Sequence, residues 1–110
     1  MSDTYAVIYA PEALDDLRNI YAYIAFSLKA PGTARKQVNR IREEVRSLDC
    51  MPRRYTHMEH EPWRSMGMHR MPVDNFVVYY LVDVVNSSVT IVRIFYGGRD
   101  VESVLHTGME

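Results

Sequence analysis

Two kinds of hydrophobic pattern follow one another along the first half of the chain. Residues 4–10, "TYAVIYA", alternate larger and smaller side chains, which is typical of a strand with one face on a core. After Pro11 the apolar residues recur at intervals of three and four, which predicts an amphipathic helix of about four turns. After the break "KAPGT" the same interval returns in residues 34–48, with Thr33 as the expected N-cap. Two helices separated by so short a break should pack as an antiparallel hairpin.

The second half of the chain carries strand patterns. Residues 63–71 are a weak strand candidate, whereas residues 76–83 and 89–96 are strong ones, joined by the turn "VVNSS". Strands connected this closely should form a three-stranded antiparallel meander. The intervening residues 52–62 have no clear period, so no element is predicted there.

The order of these elements defines the expected fold. A short helix is predicted near residues 100–106, with Asp100 as its cap. The fold class is therefore α+β, with an N-terminal strand, the helical hairpin, the meander and this last helix in that order. A chain of this length buries only about 65% of its unfolded surface, so residues 1–110 are expected to form one domain.

Composition and charge exclude several classes of protein. The chain is 47% hydrophobic and 25% charged, which is typical of a soluble globular protein. No apolar run reaches the roughly 20 residues of a membrane span, and the N-terminus lacks the pattern of a signal peptide, so a cytoplasmic protein without a membrane partner is expected. Cys50 is the only cysteine, which excludes an intramolecular disulfide.

The charge distribution bears on possible partners. The net charge of −1 is not that of a nucleic-acid binder, so no sequence-specific DNA binding by this chain alone is expected. The charge is nevertheless uneven, because residues 18–70 contain 11 of the 13 basic residues and five acidic ones. A local basic face is one interpretation of this excess, and solvated helix surface is the other.

Several of these segments together resemble a known family. They are "YAPEALDDLRNIYAYI", the "PG" break before "TARKQVNRIREEVRSL", the strands "FVVYYLVD" and "VTIVRIF", and the ending "YGGRD". Their order and spacing are similar to those of the RelE/ParE superfamily of bacterial toxins, over roughly residues 4–105. The resemblance implies the toxin of a type II toxin–antitoxin pair, with roles in plasmid stabilisation and growth inhibition. It also implies a cognate antitoxin as partner and no cofactor.

The superfamily divides by target, and its nuclease residues are only partly present here. RelE-like members cleave mRNA on the ribosome without a metal, whereas ParE-like members inhibit DNA gyrase. Carried over by position, Arg70 and Arg99 match two basic residues of the nuclease set, whereas Val77 and Leu105 replace an expected arginine and tyrosine. His69 or Tyr96 would then have to carry the proton.

These departures favour the ParE-like interpretation, because losing a phosphate clamp or a proton donor costs a factor of about 10² to 10⁴ each. The RelE-like mRNA endoribonuclease is kept as the alternative. A third hypothesis is a toxin fold that has lost its activity and persists as a regulatory partner.

Residues expected to contact a partner cluster near the predicted meander. The candidates are Arg99, Arg70, Arg64, Tyr80 and Trp63. Trp63 is either a core anchor or an interface residue, and of Tyr79 and Tyr80 one is expected in the core and one at a partner surface. The sheet face away from the helices, which would carry Met66 and Met68, is expected to be open to an antitoxin.

Arg93 and the segment of residues 57–61 are interpreted as structural features. Arg93 is expected on the same side of its strand as Ile91 and Phe95, with its stem laid over apolar surface. The segment "HMEHE", residues 57–61, contains two histidines and two glutamates but matches no known zinc spacing. It is interpreted as a solvated loop, and no metal site is predicted.

Overall fold

A computed structural model describes residues 4–97, which form a five-stranded sheet with helices. The strands are β1 (Ala6–Tyr9), β2 (Thr56–His57), β3 (Met68–Val73), β4 (Phe76–Asp83) and β5 (Ser88–Tyr96). The helices are α1 (Pro11–Ala22), α2 (Pro31–Arg46) and the short α3 (Trp63–Met66). A π-helical segment, Tyr23–Ser27, continues α1. Two 3₁₀ turns, Ser47–Asp49 and Pro52–Arg54, follow α2.

The sheet has the strand order β1-β5-β4-β3-β2. Strands β3, β4 and β5 form the predicted antiparallel meander, and the α+β class is confirmed. Strand β1 adds to it as an edge strand parallel to β5, with Tyr9 opposite Ile91. The predicted strand over residues 63–71 is wrong in its first half, because Trp63–Met66 is helical and β3 begins only at Met68. The predicted helix near residues 100–106 lies outside the described residues.

The helical hairpin differs from its prediction at the break. Helix α1 begins at Pro11 as expected, since proline lacks the N–H that a first turn leaves unsatisfied. Helix α2 begins at Pro31 for the same reason, so the predicted N-cap at Thr33 is wrong. Within residues 4–97, none of the helices has the length and apolar character needed to cross a membrane.

Both faces of the sheet are covered, and each has its own apolar cluster. On the helix face, α1 and α2 pack on the strands through residues such as Leu17, Ile41 and Val78. On the opposite side, which we call the outer face, the cluster consists of Met58, Trp63, Met68, Tyr79 and Phe95. The central strand β4 therefore has apolar side chains on both faces, which explains its continuous run "FVVYYLV".

Burial on the two faces of the sheet corrects the expectations for Tyr80 and Met68 and decides between the two alternatives for Trp63. Tyr79 and Tyr80 are both buried, with 1% and 0% of their surface exposed, so the assignment of Tyr80 to a partner surface is wrong. Trp63 is 5% exposed and is a core anchor of the outer face. Met68 is fully buried, so the expectation of an open, methionine-rich face holds only for Met66. On the outer face the cause is the segment from β2 to α3, which folds over Tyr79 and Met68, whereas Tyr80 packs in the cluster of the helix face.

The hydroxyl of Tyr80 gives a test of the packing on the helix face. It donates a buried hydrogen bond of 2.6 Å to the carbonyl oxygen of Pro52. Tyr80→Phe leaves that carbonyl without its donor and is expected to lower the free energy of unfolding by about 1–2 kcal/mol. Urea denaturation measures this loss. Tyr96→Phe is the control, because Tyr96 is 57% exposed, and an equal loss in both variants would contradict the assignment.

Candidate functional site

A groove lies between the helical hairpin and the end of the sheet. Its volume is about 770 Å³. Helix α1 and the π-helical segment form one wall, and the ends of β4 and β5 form the other. Its apolar lining includes Ile20, Tyr23, Ile24, Leu28, Phe76 and Tyr96. A mostly apolar groove of this size suits a ligand or a segment of another protein.

The π-helical segment explains why apolar side chains stand at the mouth of the groove. The N–H of Leu28 donates to the carbonyl oxygen of Tyr23 at 3.0 Å, five residues back, which widens the last turn of the helix. Ile24 turns inward, whereas Tyr23 and Leu28 remain 59% and 55% exposed. The segment therefore presents two large apolar side chains to solvent beside the groove.

The sheet side of the groove is built by an aromatic pair at the end of the β4–β5 ladder. The rings of Phe76 and Tyr96 meet edge to face with centroids 5.9 Å apart. The N–H of Gly97 donates to the carbonyl oxygen of Asn75 at 2.8 Å, which closes the end of the ladder. The exposed ring of Tyr96 is thus held in place at the rim.

Asp16 lies at the junction of the groove, α1 and the sheet edge. Strand β1 ends at Tyr9, so among residues 4–97 no strand pairs with this edge of β5 beyond Ile91. The Asp16 carboxylate takes that place, since its Oδ2 accepts the backbone N–H of Ile94 at 2.8 Å. The same carboxylate accepts Nε and Nη2 of Arg93 at 2.9 and 3.1 Å. One side chain therefore satisfies the sheet edge and fixes an arginine.

Arg93 reaches Asp16 from the outer face around this edge. Its guanidinium lies 4.5 Å from the centroid of the Phe95 ring, which confirms the expected placement over apolar surface. The hydrogen bonds that Arg93 donates to the Asp16 carboxylate raise the pKa of Arg93. The expectation that Ile91 shares the side of Arg93 is wrong, because a β-bulge opposite Tyr79 and Tyr80 puts Ile91 on the helix face.

The candidate nuclease residues of β3 lie on opposite faces of the sheet. Arg70 is exposed and pairs with Tyr79 of the outer face, where burial raises the pKa of the Tyr79 hydroxyl. His69 pairs with Tyr80 of the helix face and is 6% exposed; burial lowers its pKa. Because neighbouring side chains of a strand point to opposite faces, these two residues do not meet at one phosphate.

The remaining candidates are also dispersed. Arg64 is exposed on α3, next to the buried Trp63. Tyr96 pairs with Phe76, which packs on the helix face, so it is separated from Arg70 by the sheet. Arg99 and Leu105 lie outside the described residues. Within residues 4–97, no group of three or more histidine, cysteine or acidic side chains is placed to hold a metal ion.

A match to a family model shows which family the chain belongs to. The model is that of the ParE toxin of the type II toxin–antitoxin system parDE, and it matches residues 7–101. The chain belongs to the ParE toxin family. Among curated protein sequences, none matches this ParE-family chain.

Solved structures agree with this membership at the level of the fold. The ParE-family chain is similar to a chain of the chromosomal ParDE system from P. aeruginosa, with a TM-score of 0.70 and 23% identity, covering 86% of this chain and 98% of that one. It is also similar to a chain of the RelBE2 toxin–antitoxin complex from Mycobacterium tuberculosis, with a TM-score of 0.63, 18% identity and coverage of 84% and 91%. A mutant E. coli RelE toxin in the free state is similar with a TM-score of 0.61 and 11% identity, covering 94% of this chain and 92% of that one.

Two parts of the site in this ParE-family chain were not predicted from sequence. The apolar groove depends on the π-helical segment, and nothing in the local spacing distinguishes that turn from α-helix. Asp16 did carry a signal, because it lies on the stripe formed by Ala13, Leu17 and Ile20. An acidic residue inside an apolar stripe must find partners when buried, here Arg93 and the edge of β5.

Proposed function

We propose that the chain is a ParE-like toxin that inhibits DNA gyrase in the cytoplasm and is neutralised by a cognate antitoxin. The observation that carries the choice of target is the separation of the candidate nuclease residues. Arg70 lies on the outer face, whereas His69 and Tyr96 lie on the helix face. General acid–base cleavage of RNA needs its proton carriers and its cations around one phosphate. Binding to a protein target has no such requirement.

The immediate surroundings of Arg70 favour the same choice. Arg70 lies directly opposite Tyr79 of β4, which belongs to the apolar cluster of the outer face. This surface places an exposed cation beside packed aromatic residues. Such a combination is typical of protein–protein hot spots, in which arginine and large aromatic side chains are enriched. We therefore assign Arg70 to target contact, and we assign Arg99 to it on the family resemblance alone.

The groove beside the π-helical segment supports the second part of the proposal, an antitoxin as partner. The similar ParDE and RelBE2 structures are named as toxin–antitoxin systems or complexes. Here Tyr23, Leu28 and Tyr96 expose large apolar surfaces around one groove. Apolar side chains of an antitoxin segment laid into it would remove those surfaces from water, which is the main driving force for such docking.

A supercoiling assay tests the gyrase target directly. Purified protein is added to DNA gyrase and relaxed plasmid, and the plasmid topology is measured by electrophoresis. We expect inhibition of supercoiling, and we expect the Arg70→Ala and Arg99→Ala variants to need about tenfold more protein for the same inhibition. Arg35→Ala is the control, because this exposed arginine on α2 lies far along the chain from both.

Mapping of mRNA 5′ ends after induction in cells separates the alternatives. Intact mRNA together with inhibited supercoiling supports the gyrase proposal. Cleaved mRNA whose cutting disappears in Arg70→Ala and Arg99→Ala would overturn it in favour of the RelE-like endoribonuclease. Harmless expression with neither effect would overturn both and favour a toxin fold without activity.

A further inference from the structure

Two histidines lie directly opposite each other at the far edge of the sheet from β1. His57 of β2 pairs with His69 of β3. One position along, the N–H of Met58 donates to the carbonyl oxygen of Met68 at 2.8 Å, so that pair is the hydrogen-bonded one. Because the two types of pair alternate in an antiparallel ladder, His57 and His69 form a non-hydrogen-bonded pair, in which side chains approach more closely.

His69 is held in the manner of a metal-ligating histidine. It is buried, and its ring stacks on that of Tyr80 with centroids 5.5 Å apart. Its Nδ1 lies 3.0 Å from the carbonyl oxygen of Gly67. A carbonyl only accepts, so this contact places the proton on Nδ1 and leaves the lone pair on Nε2. A backbone carbonyl on the second nitrogen is the usual outer-shell partner of a ligating imidazole.

The separation of the two rings fits coordination of one ion. With metal–nitrogen bonds of about 2.0–2.1 Å, two imidazoles that bind one metal at angles between 90° and tetrahedral have centroids about 4.5–5.2 Å apart. The centroids of His57 and His69 are 4.8 Å apart, with a tilt of 49° between the planes. His57 is exposed, so its ring can turn towards the ion without disturbing the core.

We propose that His57 and His69 form a two-histidine site for a divalent transition metal ion, Zn²⁺ or Cu²⁺, with water in the remaining positions. The site does not depend on the proposed toxin activity. Arg53 lies near enough to lower the pKa of His69, and its charge also opposes a bound cation. Cu²⁺ should therefore be the more sensitive probe, since imidazole sites bind it more tightly than Zn²⁺.

The ion would stabilise the pairing of a very short strand. Strand β2 has only two residues, and it begins the segment that runs over the outer face to α3. An ion bound by both β2 and β3 binds only the folded state of the protein. It should therefore stabilise the pairing of these strands and raise the melting temperature.

Calorimetric titration of tag-free protein with CuCl₂ and with ZnCl₂ tests the site. We expect one ion per chain, and we expect His57→Ala to weaken binding by about tenfold or more, since losing an outer-shell partner alone costs that much. His60→Ala is the matched control, an exposed histidine in the same segment whose loss should leave the affinity unchanged. His57→Ala should melt like the wild type without metal, because His57 is exposed.

A second readout identifies the ligand atoms. On addition of Zn²⁺, the NMR signals of the His69 ring should shift at Nε2 in the wild type and in His60→Ala, and stay unchanged in His57→Ala. No binding by the wild type, equal affinity in His57→Ala, or loss of affinity in His60→Ala would each overturn the proposal.

Discussion

Asp16→Ala is expected to lower the free energy of unfolding by about 3 kcal/mol. The substitution leaves the guanidinium of Arg93 and the N–H of Ile94 without their acceptor, and the loss of one partner from a buried charge pair costs about 3–5 kcal/mol. Arg93 retains some access to water, which puts the expected cost at the lower end. For a domain of this size the melting temperature should fall by about 10–15 °C. Calorimetry or thermal denaturation followed by circular dichroism measures the shift.

The neighbouring residue provides the control for this prediction. Asp15 also pairs with an arginine, Arg18, but both side chains are about two-thirds exposed. Such surface pairs contribute about 0–1 kcal/mol, so Asp15→Ala should change little. Asp16→Asn should fall between the two, because an amide oxygen can still accept one hydrogen bond. Equal melting temperatures for Asp15→Ala and Asp16→Ala would show that Asp16 does not secure the sheet edge.

Leu28→Glu is expected to weaken binding of the proposed antitoxin by about 100-fold. Leu28 stands at the mouth of the groove with 55% of its surface exposed, so a charged side chain there should leave the folded toxin intact. In the complex, however, the carboxylate would be buried against apolar surface, which costs about 2–4 kcal/mol. Titration of the toxin with the product of the neighbouring gene measures the dissociation constant.

A charge placed elsewhere separates docking from a general effect of charge. Val85 is 91% exposed in the turn between β4 and β5, away from the groove lining. Val85→Glu should bind the antitoxin as the wild type does. If Leu28→Glu also bound normally while the wild type bound tightly, the antitoxin would have to occupy another surface. The inhibition of gyrase supercoiling by both variants tests the proposed target separately.

Periodicity predicted where the helices and strands lie in the sequence more accurately than which strands pair with each other. The runs of β-branched and aromatic residues at 76–83 and 89–96 predicted two strands almost to the residue, and Pro11 predicted the start of α1, because each signal is local. The parallel pairing of β1 with β5 leaves no local trace. Strand β2 was missed because two residues are too few to show a period.

The same limit explains the outcome at the candidate site. Tyr80 was expected at a partner surface because alternation predicts that one of two adjacent tyrosines faces outward. Tyr80 instead packs on the helix face, and Tyr79, which lies on the outer face, is covered by Trp63 and Met58 from a segment without a period. Asp16 was a visible exception on its helix, yet its partner Arg93 lies 77 residues away along the chain. Burial and pairing over such distances depend on the whole fold.

The position of β5 in the sheet affects how the protein is made. Ala6 at the start of the chain pairs with Ser88, 82 residues later, and β5 lies between β1 and β4. During translation, therefore, the first strand has no neighbour in the sheet until β5 has left the ribosome. The groove also cannot form until β5 has left the ribosome, because Tyr96 at the end of β5 forms its rim. A nascent chain shorter than about 96 residues should thus be unable to dock a partner there, and non-local pairing of this kind is intrinsically slow.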